Sequence, residues 1–374
     1  MSASDDLSHM ARALVLARQG LYTTQPNPRV GCVIVRNGEV VGEGFHARAG
    51  EPHAEVHALR QAGDKAQGAT AYVTLEPCSH HGRTPPCADA LVKAGVARVV
   101  AAMQDPNPLV GGKGLEKLRA AGIETACGVL EAEARALNPG FLRRIAGGLP
   151  WVRVKLAMSL DGRTAMASGE SKWITGADAR RDVQKLRAQS GAIITGVGTV
   201  LADDPGMTVR VEEWQDWPAG VAPVQPLRVI VDSSLQTEPT AKILHQPGQT
   251  IIATAPIEED RIADDKAAML AAAGAEIWEL PTLGGHVQLR ALLEKLREAQ
   301  VNEVLVETGP RLAGAFVEAG LVDELIVYQA PTLLGSAARP LLELPLAAMV
   351  EQKRLKVLDQ RLVGSDLRWT LALA

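Results

Sequence analysis

The residues best suited to chemistry are concentrated in one short stretch of the N-terminal third. The sequence TLEPCSHHGRTPPC occupies positions 74–87 and contains a glutamate, two cysteines and two histidines. All four cysteines and six of the eight histidines lie within the first 127 residues. Thiolate sulfur and imidazole nitrogen are preferred zinc ligands in proteins. A metal centre, if the chain holds one, therefore belongs to this third.

The spacing of these residues follows the ligand pattern of zinc deaminases. Those enzymes carry H-x-E and, downstream, P-C-x-x-C, and the glutamate moves protons without binding the metal. Here HAE occupies 53–55 and PC occupies 77–78, but eight residues separate Cys78 from Cys87, so the loop between them must turn back. The pattern predicts one Zn²⁺ per chain, bound by His53, Cys78 and Cys87, with Glu55 as the catalytic acid and base.

His53 and Glu55 can share a site only at the start of a helix. Residues two apart point to nearly opposite sides in the middle of a helix. A helix is predicted over 53–62, and Glu51-Pro52 just before it suits the point where the chain enters a helix. We therefore expect both side chains at the first turn.

Four other interpretations of these residues stay open. A Cys78–Cys87 disulfide conflicts with a reducing compartment and with only four cysteines in a long chain. His53 and His57 could bind a metal together, but H-A-E-V-H differs from the metalloprotease order H-E-x-x-H. The cysteines could form a closed structural site with His80 and His81. A chain without metal would leave the placement of Glu55 beside His53 a coincidence. The open site is favoured.

Composition argues against a nucleic-acid or membrane partner. Lysine plus arginine (39) nearly balances aspartate plus glutamate (43), and aromatic residues make up only 3%. Such a chain offers neither a strongly basic surface nor many stacking platforms. No apolar run approaches the roughly 20 residues that span a bilayer. A signal peptide has a continuous apolar core, whereas Arg12 and Arg18 interrupt the apolar residues near this N-terminus. We expect a cytoplasmic protein.

The length and the pattern of elements predict two α/β domains. A chain of 374 residues exceeds one ordinary core, and both halves alternate strands with helices. The stretch NPGFLRRIAGGLP (138–150) interrupts the periodicity, which places the domains at 1–145 and 146–374. Helices are predicted over 5–19, 53–62, 86–94, 178–189, 258–273 and 288–299, and from about 311. Strands are predicted over 30–35, 40–45, 70–75, 96–102, 152–158, 192–197, 228–232, 250–254, 303–307 and 324–330.

The second half lacks an ordinary dinucleotide-binding motif. In GVGTVL (196–201) a leucine occupies the place of the third glycine of G-x-G-x-x-G, which excludes a Rossmann site. The run GPRLAGA (309–315) follows a predicted strand, and Pro310 suits the first turn of a helix. Backbone amides there could bind a phosphate. An ordinary strand–helix turn explains the run equally well.

Taken together, these motifs resemble one family. HAE, TLEPCSHHGRTPPC and NPRVGCVIV (27–35) resemble the deaminase domain of bifunctional riboflavin-biosynthesis deaminase–reductases, in which the long loop between the cysteines is a feature. The similarity continues through the second half, in KLAMSLDGRTAMASGESKWIT (155–175), VLADDPGMTVR (200–210), VETGPRLAGAF (306–316) and GLVDELIVY (320–328).

The resemblance implies a fold and an activity for each half. It implies an N-terminal cytidine-deaminase-like α/β/α domain and a C-terminal dihydrofolate-reductase-like α/β domain. The first would hydrolyse an amine from a diaminopyrimidinone that carries a ribosylamino 5′-phosphate. The second would use NADPH to reduce the ribosyl group to ribityl. We also expect a homo-oligomer, either a dimer or a tetramer.

The resemblance also implies binding residues. The cofactor would contact Ala157, Trp173, Thr199, Asp203, Ser233, Gly309, Pro310, Arg311, Leu312, Ala313, Gly314 and Ala315. The substrate would contact Asn27, Arg83, Lys155, Ser171, Arg187, Met207, Arg210 and Glu307, and also His80 and His81. Arg187 and Arg210 suit the 5′-phosphate, since guanidinium groups match phosphate geometry. Glu307 ends an apolar strand, where an unpaired buried carboxylate would be costly.

The residues leave two other functions open. One is a nucleic-acid base deaminase whose C-terminal part only binds substrate, which the near-neutral charge and the few aromatic residues disfavour. The other is a zinc-stabilised binding module without turnover, which would lose its fold with its metal and release no ammonia.

Overall fold

The chain forms two compact units in the computed structural model, Met1–Gly148 and Leu149–Ala374. The structure describes residues 3–79, 86–107, 111–214, 217, 221–257 and 261–373. Each unit has its own central sheet and its own hydrophobic core. Both units alternate strands with helices, so the predicted α/β class is confirmed for each.

A five-stranded mixed sheet forms the centre of the N-terminal unit. Its strands are β1 (Gly31–Arg36), β2 (Glu39–Phe45), β3 (Thr70–Val73), β4 (Arg98–Ala101) and β5 (Glu124–Cys127), in the order β2-β1-β3-β4-β5. β1 runs antiparallel to β2 and β3, whereas β3, β4 and β5 run parallel. The predicted hairpin of β1 and β2, which turns at Asn37-Gly38, is confirmed.

Helices cover both faces of this sheet. They are α1 (Ala3–Ala17), α2 (Ala54–Ala62), α3 (Cys87–Lys93), α4 (Lys113–Ala120), α5 (Glu131–Leu137) and α6 (Pro139–Ile145). Gly31 of β1 lies against α1, whereas the next residue, Cys32, pairs with Gly44, which lies against α2. Successive strand residues point to opposite faces. α1 and α2 therefore lie on opposite faces, as expected for an α/β/α unit.

The predicted helices of this unit agree with α1, α2 and α3 to within two residues. The stretch 138–150, in which a junction was predicted, contains α6, and the boundary between the two compact units falls within the same stretch, after Gly148. Pro139 is the first residue of that helix, a position where its missing N–H costs nothing. The proline and glycines of this stretch thus begin and end a short helix rather than interrupt all regular structure.

A nine-stranded sheet forms the centre of the C-terminal unit. Its strands are β6 (Trp151–Ser159), β8 (Ala192–Gly196), β9 (Leu227–Val231), β10 (Thr250–Thr254), β11 (Ala275–Glu279), β14 (Glu303–Glu307), β15 (Glu324–Ala330), β17 (Leu355–Val363) and β18 (Asp366–Leu373). Their order in the sheet is β11-β10-β9-β8-β14-β6-β15-β18-β17, parallel from β11 to β15 and antiparallel for β18 and β17. Short ladders pair β7 (Arg163–Ala165) with β16 (Arg339–Pro340) and β12 (Thr282–Leu283) with β13 (His286–Val287).

Helices of the C-terminal unit connect the parallel strands. They are α7 (Ala177–Gln189), α8 (Val197–Asp203), α9 (Arg261–Ala272), α10 (Leu289–Glu298) and α11 (Pro310–Glu318). The sheet separates two clusters of buried apolar residues, one centred on Val304 and Val306 and the other including Leu305. Leu305 alternates with Val304 and Val306 along β14, so helices shield both faces of the strand.

Several elements of this unit were not predicted from the sequence: α8, the edge strand β11, the short strands β7, β12, β13 and β16, and the C-terminal hairpin of β17 and β18. The sequence of β17, LKVLDQRLV, lacks a clean alternation of apolar and polar residues. All of its residues except the last are exposed, so neither face of the strand selects for an apolar set.

Within the described ranges, no helix combines the length and the apolar character needed to cross a membrane.

Candidate functional site

The N-terminal unit brings together the three predicted metal ligands. Nδ1 of His53 lies 3.7 Å from Sγ of Cys78 and 3.3 Å from Sγ of Cys87. All three donor atoms lie within 4.8 Å of one another. Two ligands of one tetrahedral zinc ion lie about 3.5 Å apart, given zinc–nitrogen and zinc–sulfur bonds of about 2.0–2.3 Å. The donor set and its spacing therefore fit zinc.

Two of the ligands lie at the start of a helix, and the third lies five residues after a strand. His53 is the N-cap residue of α2, with extended backbone angles, and Cys87 is the first residue of α3. Cys78 follows β3, and its carbonyl accepts a hydrogen bond from the Ala88 N–H of α3, at 3.1 Å. The Cys87 N–H donates to Sγ of Cys78 at 3.3 Å. The first turn of α3 thus fixes both cysteines relative to each other.

The thiols are arranged as metal ligands and not as a disulfide, since both are free cysteines. Hydrogen bonds from the Cys87 thiol and from His53 lower the pKa of Cys78 to about 4. The contact with Cys78, together with burial, raises the pKa of Cys87. Hydrogen bonding to Cys78 also raises the pKa of His53. A site that already stabilises one thiolate is chemically suited to a divalent cation.

Glu55 lies beside this cluster, in the first turn of α2. Its side chain is only 3% exposed, and burial raises its pKa to about 6. One oxygen hydrogen-bonds with the Cys87 thiol, whereas Oε2 has no hydrogen-bond partner within the described part of the chain. A buried oxygen without a partner is costly unless a ligand or water supplies one. The carboxylate is thus placed to exchange protons with a molecule at the metal centre.

The alternative ligands do not join this cluster. His57 lies on the next turn of α2, and its Nε2 is buried without a hydrogen-bond partner among the described residues. The group of donors that could hold a metal contains His53 and the two cysteines but not His57. His80, His81 and Arg83 lie outside the described residues, so their predicted substrate contacts stay predictions.

Asn27 contacts His46, whose ring lies beside that of the metal-ligand candidate His53. His46 was not among the predicted site residues. Nδ2 of Asn27 lies 3.0 Å from Nε2 of His46, and Nδ1 of His46 lies 3.2 Å from the Pro52 carbonyl oxygen. The His46 and His53 rings meet edge to face, with their centroids 5.2 Å apart. His46 is only 2% exposed, and burial lowers its pKa. The only sequence signal for His46 was its place among the N-terminal histidines.

In the C-terminal unit, four predicted substrate residues form a charged cluster. Glu307 ends β14 and pairs in register with Lys155 of β6. Arg187 of α7 donates to both oxygens of Glu307, at 2.6 and 3.0 Å. Burial alone would raise the pKa of Glu307, but the positive charges of Arg187, Lys155 and Arg210 lower it below its ordinary value. Three cations against one carboxylate leave an excess of two positive charges, which suits an anionic ligand.

Lys155 and Arg187 play different parts in this cluster. Burial lowers the pKa of Lys155 below its ordinary value. No hydrogen bond or ion pair within the described residues engages its ammonium group, which is thus available to a ligand. Arg187 is already engaged, because it also donates to the Thr208 carbonyl oxygen at 3.0 Å and contacts Sδ of Met207 at 3.7 Å. The N–H groups of its guanidinium are therefore engaged by protein atoms and are not available to a phosphate.

The predicted cofactor residues gather at the carboxyl ends of neighbouring parallel strands. Thr199 and Asp203 lie on α8 directly after β8, Ser233 follows β9, and Gly309 is the N-cap of α11 directly after β14. Ala157 lies on β6, beside β14 in the sheet. Ligands of open α/β sheets bind in crevices at this edge.

The run 309–315 divides into an accessible and an inaccessible part. Gly309, Pro310, Leu312 and Ala315 are partly exposed, Arg311 is exposed, and Ala313 and Gly314 are buried. Only the first turn of α11 has backbone N–H groups without partners in the helix. Any phosphate contact of this run therefore falls on its first residues.

Trp173 and Ser171 lie in the segment between β7 and α7. The Trp173 side chain is 71% exposed, and the Arg180 guanidinium lies 4.5 Å from the centre of its ring. An exposed indole held by a cation is an available stacking surface.

One polar group that was not predicted from the sequence is the Thr195 hydroxyl of β8, which is buried and without a hydrogen-bond partner among the described residues. Such a group fits a site that a cofactor completes.

Two family models match the chain, one in each unit. The model of the cytidine and deoxycytidylate deaminase zinc-binding region matches residues 3–103, which include all three metal-ligand candidates. The model of the RibD C-terminal domain matches residues 150–366, more than half of the chain.

Curated relatives and solved structures are similar over the full length. The riboflavin biosynthesis protein RibD of Escherichia coli (strain K12) is 54% identical over 367 residues, which cover 97% of this chain and 98% of the relative. A structure of Acinetobacter baumannii RibD superposes with a TM-score of 0.90 at 49% identity, covering 100% of both chains. A Thermotoga maritima structure, described as a diaminohydroxyphosphoribosylaminopyrimidine deaminase/5-amino-6-(5-phosphoribosylamino)uracil reductase, superposes with a TM-score of 0.84 at 32% identity, covering 99% of each chain.

Proposed function

The chain belongs to the RibD family of riboflavin biosynthesis proteins, and we propose that its two units catalyse successive steps on one pyrimidine. The enzyme is a bifunctional deaminase and reductase that uses Zn²⁺ and NADPH. The predicted fold class, a cytidine-deaminase-like domain followed by a dihydrofolate-reductase-like domain, is confirmed. One observation carries the proposal: an imidazole and two thiols converge beside a buried carboxylate that has an unpartnered oxygen among the described residues.

The substrate of the N-terminal unit would be a diaminopyrimidinone carrying a ribosylamino 5′-phosphate. His53, Cys78 and Cys87 would hold the zinc ion, which when bound lowers the pKa of a water molecule. Glu55 would carry one proton from the attacking water to the ring nitrogen and a second, from the hydroxyl group so formed, to the amine, which then leaves as ammonia. Its raised pKa suits this task, because an acid–base group works best near the ambient pH.

Asn27 and His46 would orient the pyrimidine ring. An amide side chain can both donate to and accept from the edge of a pyrimidine. His46 lies 3.0 Å from that amide and is itself anchored on the Pro52 carbonyl, so it can fix which way the Asn27 amide points. Arg83, His80 and His81 remain predicted contacts of the same substrate.

The C-terminal unit would reduce the ribosyl group of the deaminated product. The excess positive charge of the cluster of Lys155, Arg187, Arg210 and Glu307 would hold the 5′-phosphate. Lys155 and Arg210 would contact it most directly, and Arg187 would act by fixing Glu307. Met207 and Ser171 complete the predicted substrate contacts. The ring-opened sugar forms an imine, and a hydride then adds to its first carbon once the reactants are aligned.

NADPH would lie along the carboxyl ends of β8, β9 and β14. Thr199, Asp203, Ser233 and the run 309–315 flank this edge, and Ala157 faces it from β6. Trp173 would provide a stacking surface, and the Thr195 hydroxyl, which has no partner in the described part of the chain, would gain one. The first turn of α11 offers amide donors for a phosphate group of the cofactor.

The proposed partners follow from charge and surface. The ligands would be small molecules, without nucleic acid or membrane, since the net charge is −4 and aromatic residues are few. A homo-oligomer, a dimer or a tetramer, would cover β17, an edge strand that exposes Val357, Leu358 and Leu362. A cytoplasmic location suits a site that needs two reduced cysteines. The proposed domains, 1–145 for deamination and 146–374 for reduction, approximate the two compact units.

One experiment tests both activities together. The protein is given the diaminopyrimidinone ribosyl phosphate with NADPH, and ammonia release and NADPH absorbance are followed at the same time, with and without added zinc. Ammonia should appear first, and NADPH oxidation should follow as the deaminated product accumulates. Release of ammonia without any NADPH oxidation would contradict the proposed second step.

A Glu55→Gln variant tests the assignment of the acid and base. Ammonia release should fall by about 10²–10⁴-fold, the usual contribution of a positioned acid–base group. NADPH oxidation with the deaminated pyrimidine should be unchanged. Glu39→Gln, which alters an exposed carboxylate of β2, is the matched control and should leave both rates intact. Full ammonia release from Glu55→Gln would refute the role of Glu55.

A further inference from the structure

Glu76 is a buried carboxylate that the proposed reaction leaves without a role. It is 5% exposed and precedes Cys78 by two residues. Oε2 accepts hydrogen bonds from the N–H groups of Asp105 and Gly112, at 3.0 and 2.9 Å. Oε1 accepts from Gly114 and Leu115, at 2.9 and 3.1 Å. Four backbone donors thus saturate one carboxylate, which has about four acceptor sites in its ionised form.

Three of these donors belong to the start of α4. Gly112 is the N-cap of that helix and has no side chain to cap it, and Gly114 and Leu115 lie in its first turn. The first N–H groups of a helix lack partners within the helix, and a negative charge there is stabilised by the helix dipole. Glu76 therefore replaces the missing N-cap side chain from a distant part of the sequence.

The contact is close as well as polar. A Cβ atom on Gly114 would lie 2.0 Å from the carbonyl oxygen of Pro77, so only glycine lets α4 approach this backbone. The N–H of Glu76 also donates to the carbonyl oxygen of Met103, at 3.0 Å, just beyond β4. The segment 76–77 is thus held by the end of one strand and by the start of one helix.

Cys78 comes directly after this held segment. On its other side, its carbonyl and its sulfur accept the hydrogen bonds from α3 described above, with Ala88 and Cys87 as donors. Its backbone is therefore fixed from both directions, by α4 through Glu76 and by α3 through Cys87. Ligand side chains bind a metal well only when neighbouring groups hold them in the required geometry.

We propose that Glu76 is a positioning residue for the metal centre: its carboxylate clamps residues 76–77 onto the first turn of α4 and so holds the Cys78 thiolate at ligand distance from His53 and Cys87. The inference rests on the proposed zinc site. It assigns to Glu76 no contact with substrate or metal.

The chemistry of the clamp requires an anion. A glutamine side chain in place of Glu76 would have one acceptor oxygen and an NH₂ group that faces backbone N–H groups, so about half of the four hydrogen bonds would be lost. The volume of the side chain would stay nearly the same. Glu76→Gln therefore tests the clamp without creating a cavity.

The test compares zinc retention in the full-length wild type and Glu76→Gln. Each protein is loaded with one zinc ion, a chelator is added below the unfolding temperature of either protein, and zinc release is followed. Release from Glu76→Gln should be about 10–100-fold faster, the usual cost of losing a group that supports a metal ligand. Proteins loaded with Co²⁺ should show a shifted visible spectrum for the variant, because the thiolate geometry changes. Reductase activity of the same chain should be unchanged.

Asp6→Asn is the matched control for a merely structural carboxylate. Asp6 also lies in the N-terminal unit, and it accepts hydrogen bonds from the Tyr72 hydroxyl at 2.7 Å and from two nitrogens of Arg98 at 2.8 Å. Its amide variant should unfold at a lower temperature but keep the wild-type zinc release and Co²⁺ spectrum. Wild-type release and spectrum in Glu76→Gln would overturn the inference, and so would equal changes in both variants.

Gly112→Ala provides a second route if Glu76→Gln does not fold. Gly112 has a φ of 85°, so alanine there strains the backbone that donates to Oε2. Its zinc release should also be faster than that of the wild type, and a wild-type rate would overturn the inference. Failure of the zinc site itself would appear differently, since the wild type would then bind neither metal.

Discussion

Replacing Glu307 by glutamine tests whether this carboxylate stabilises the charged cluster of the C-terminal unit and at the same time weakens the binding of anions to it. Arg187 and Glu307 form a two-pronged ion pair whose side chains are 11% and 8% exposed. Glu307→Gln removes the negative charge but keeps the shape of the side chain and one acceptor oxygen. The three cations Lys155, Arg187 and Arg210 would then face each other without a carboxylate between them.

The expected loss of stability follows from the burial of the pair. Breaking a buried ion pair by removing one partner costs about 3–5 kcal/mol, and glutamine should give the lower end because it still accepts one hydrogen bond. For a unit of this length, Leu149–Ala374, each kcal/mol corresponds to roughly 2–4 °C. We therefore expect the unfolding temperature of the unit to fall by roughly 6–12 °C.

Tryptophan fluorescence can follow this unit alone. All six tryptophans of the chain lie in its C-terminal unit, at positions 151, 173, 214, 217, 278 and 369. Thermal unfolding is recorded without phosphate and then with increasing inorganic phosphate, used as a probe of the anion site. Because the excess positive charge rises from two to three, phosphate should raise the unfolding temperature of Glu307→Gln more than that of the wild type.

Glu303→Gln provides the matched comparison on the same strand. Glu303 is 1% exposed and pairs with Arg153 at 2.6 Å, away from the predicted substrate residues. It should lose comparable stability, moderated because Arg153 keeps its pair with Glu324 at 2.7 Å, and its response to phosphate should match the wild type. The reasoning is refuted if Glu307→Gln unfolds at the wild-type temperature, or if both variants respond equally to phosphate.

Three further predictions follow from the charges and the metal centre. Lys155→Met should raise the unfolding temperature detected by fluorescence and abolish NADPH oxidation. Burial lowers the pKa of Lys155, so its ammonium group destabilises the fold at every pH below the ordinary lysine pKa of 10.5, and methionine removes this destabilisation. Removing zinc with a chelator should stop ammonia release but leave NADPH oxidation with the deaminated pyrimidine, since all three ligand candidates lie in the N-terminal unit. Hydrogen bonding to Arg98 lowers the pKa of Asp6 below 3.8, so its stabilisation is complete above that pH and fades as pH falls through the lower folded value. The difference between wild type and Asp6→Asn in urea unfolding, followed by circular dichroism, should therefore shrink in acid.

The candidate metal centre was predictable from the sequence because its residues lie in short motifs within one stretch of the chain. HAE lies at the start of a helix, Cys87 begins another helix and Cys78 follows a strand by five residues, so element boundaries alone suggest that the side chains can meet. The structure adds the distances, and it shows that Glu55 retains an oxygen unpartnered by any described residue. The supporting groups could not be predicted in the same way. Glu76 binds amides about thirty to forty positions away, and no sequence pattern identifies backbone donors.

The C-terminal hairpin could not be predicted for a different reason. Binary patterns reveal a strand when one face is buried and the other is exposed. β17 is exposed on both faces within its own chain, so its residues alternate in no useful way. A second copy of the chain that packed on this edge would select for apolar side chains such as Val357 and Leu362 without producing a regular alternation. A proposed oligomer would thus explain both the exposed apolar residues and the failure of the pattern.

The pairing of Arg187 with Glu307 changes how the reductase site should be understood. From the sequence, an arginine on a helix and a glutamate at a strand end were separate substrate ligands, because residues 120 positions apart give no sign that they touch. Once paired, the arginine cannot offer its fork to a phosphate without releasing the carboxylate, which would then lie buried beside Lys155. The two residues are therefore better regarded as a fixed unit that sets the charge of the site. The proposed direct contacts with the phosphate then fall to Lys155 and Arg210, and the Lys155 ammonium has no hydrogen-bond or ion-pair partner within the described residues. This division explains why Lys155→Met should remove activity while gaining stability, whereas Glu307→Gln should lose stability and bind anions more strongly.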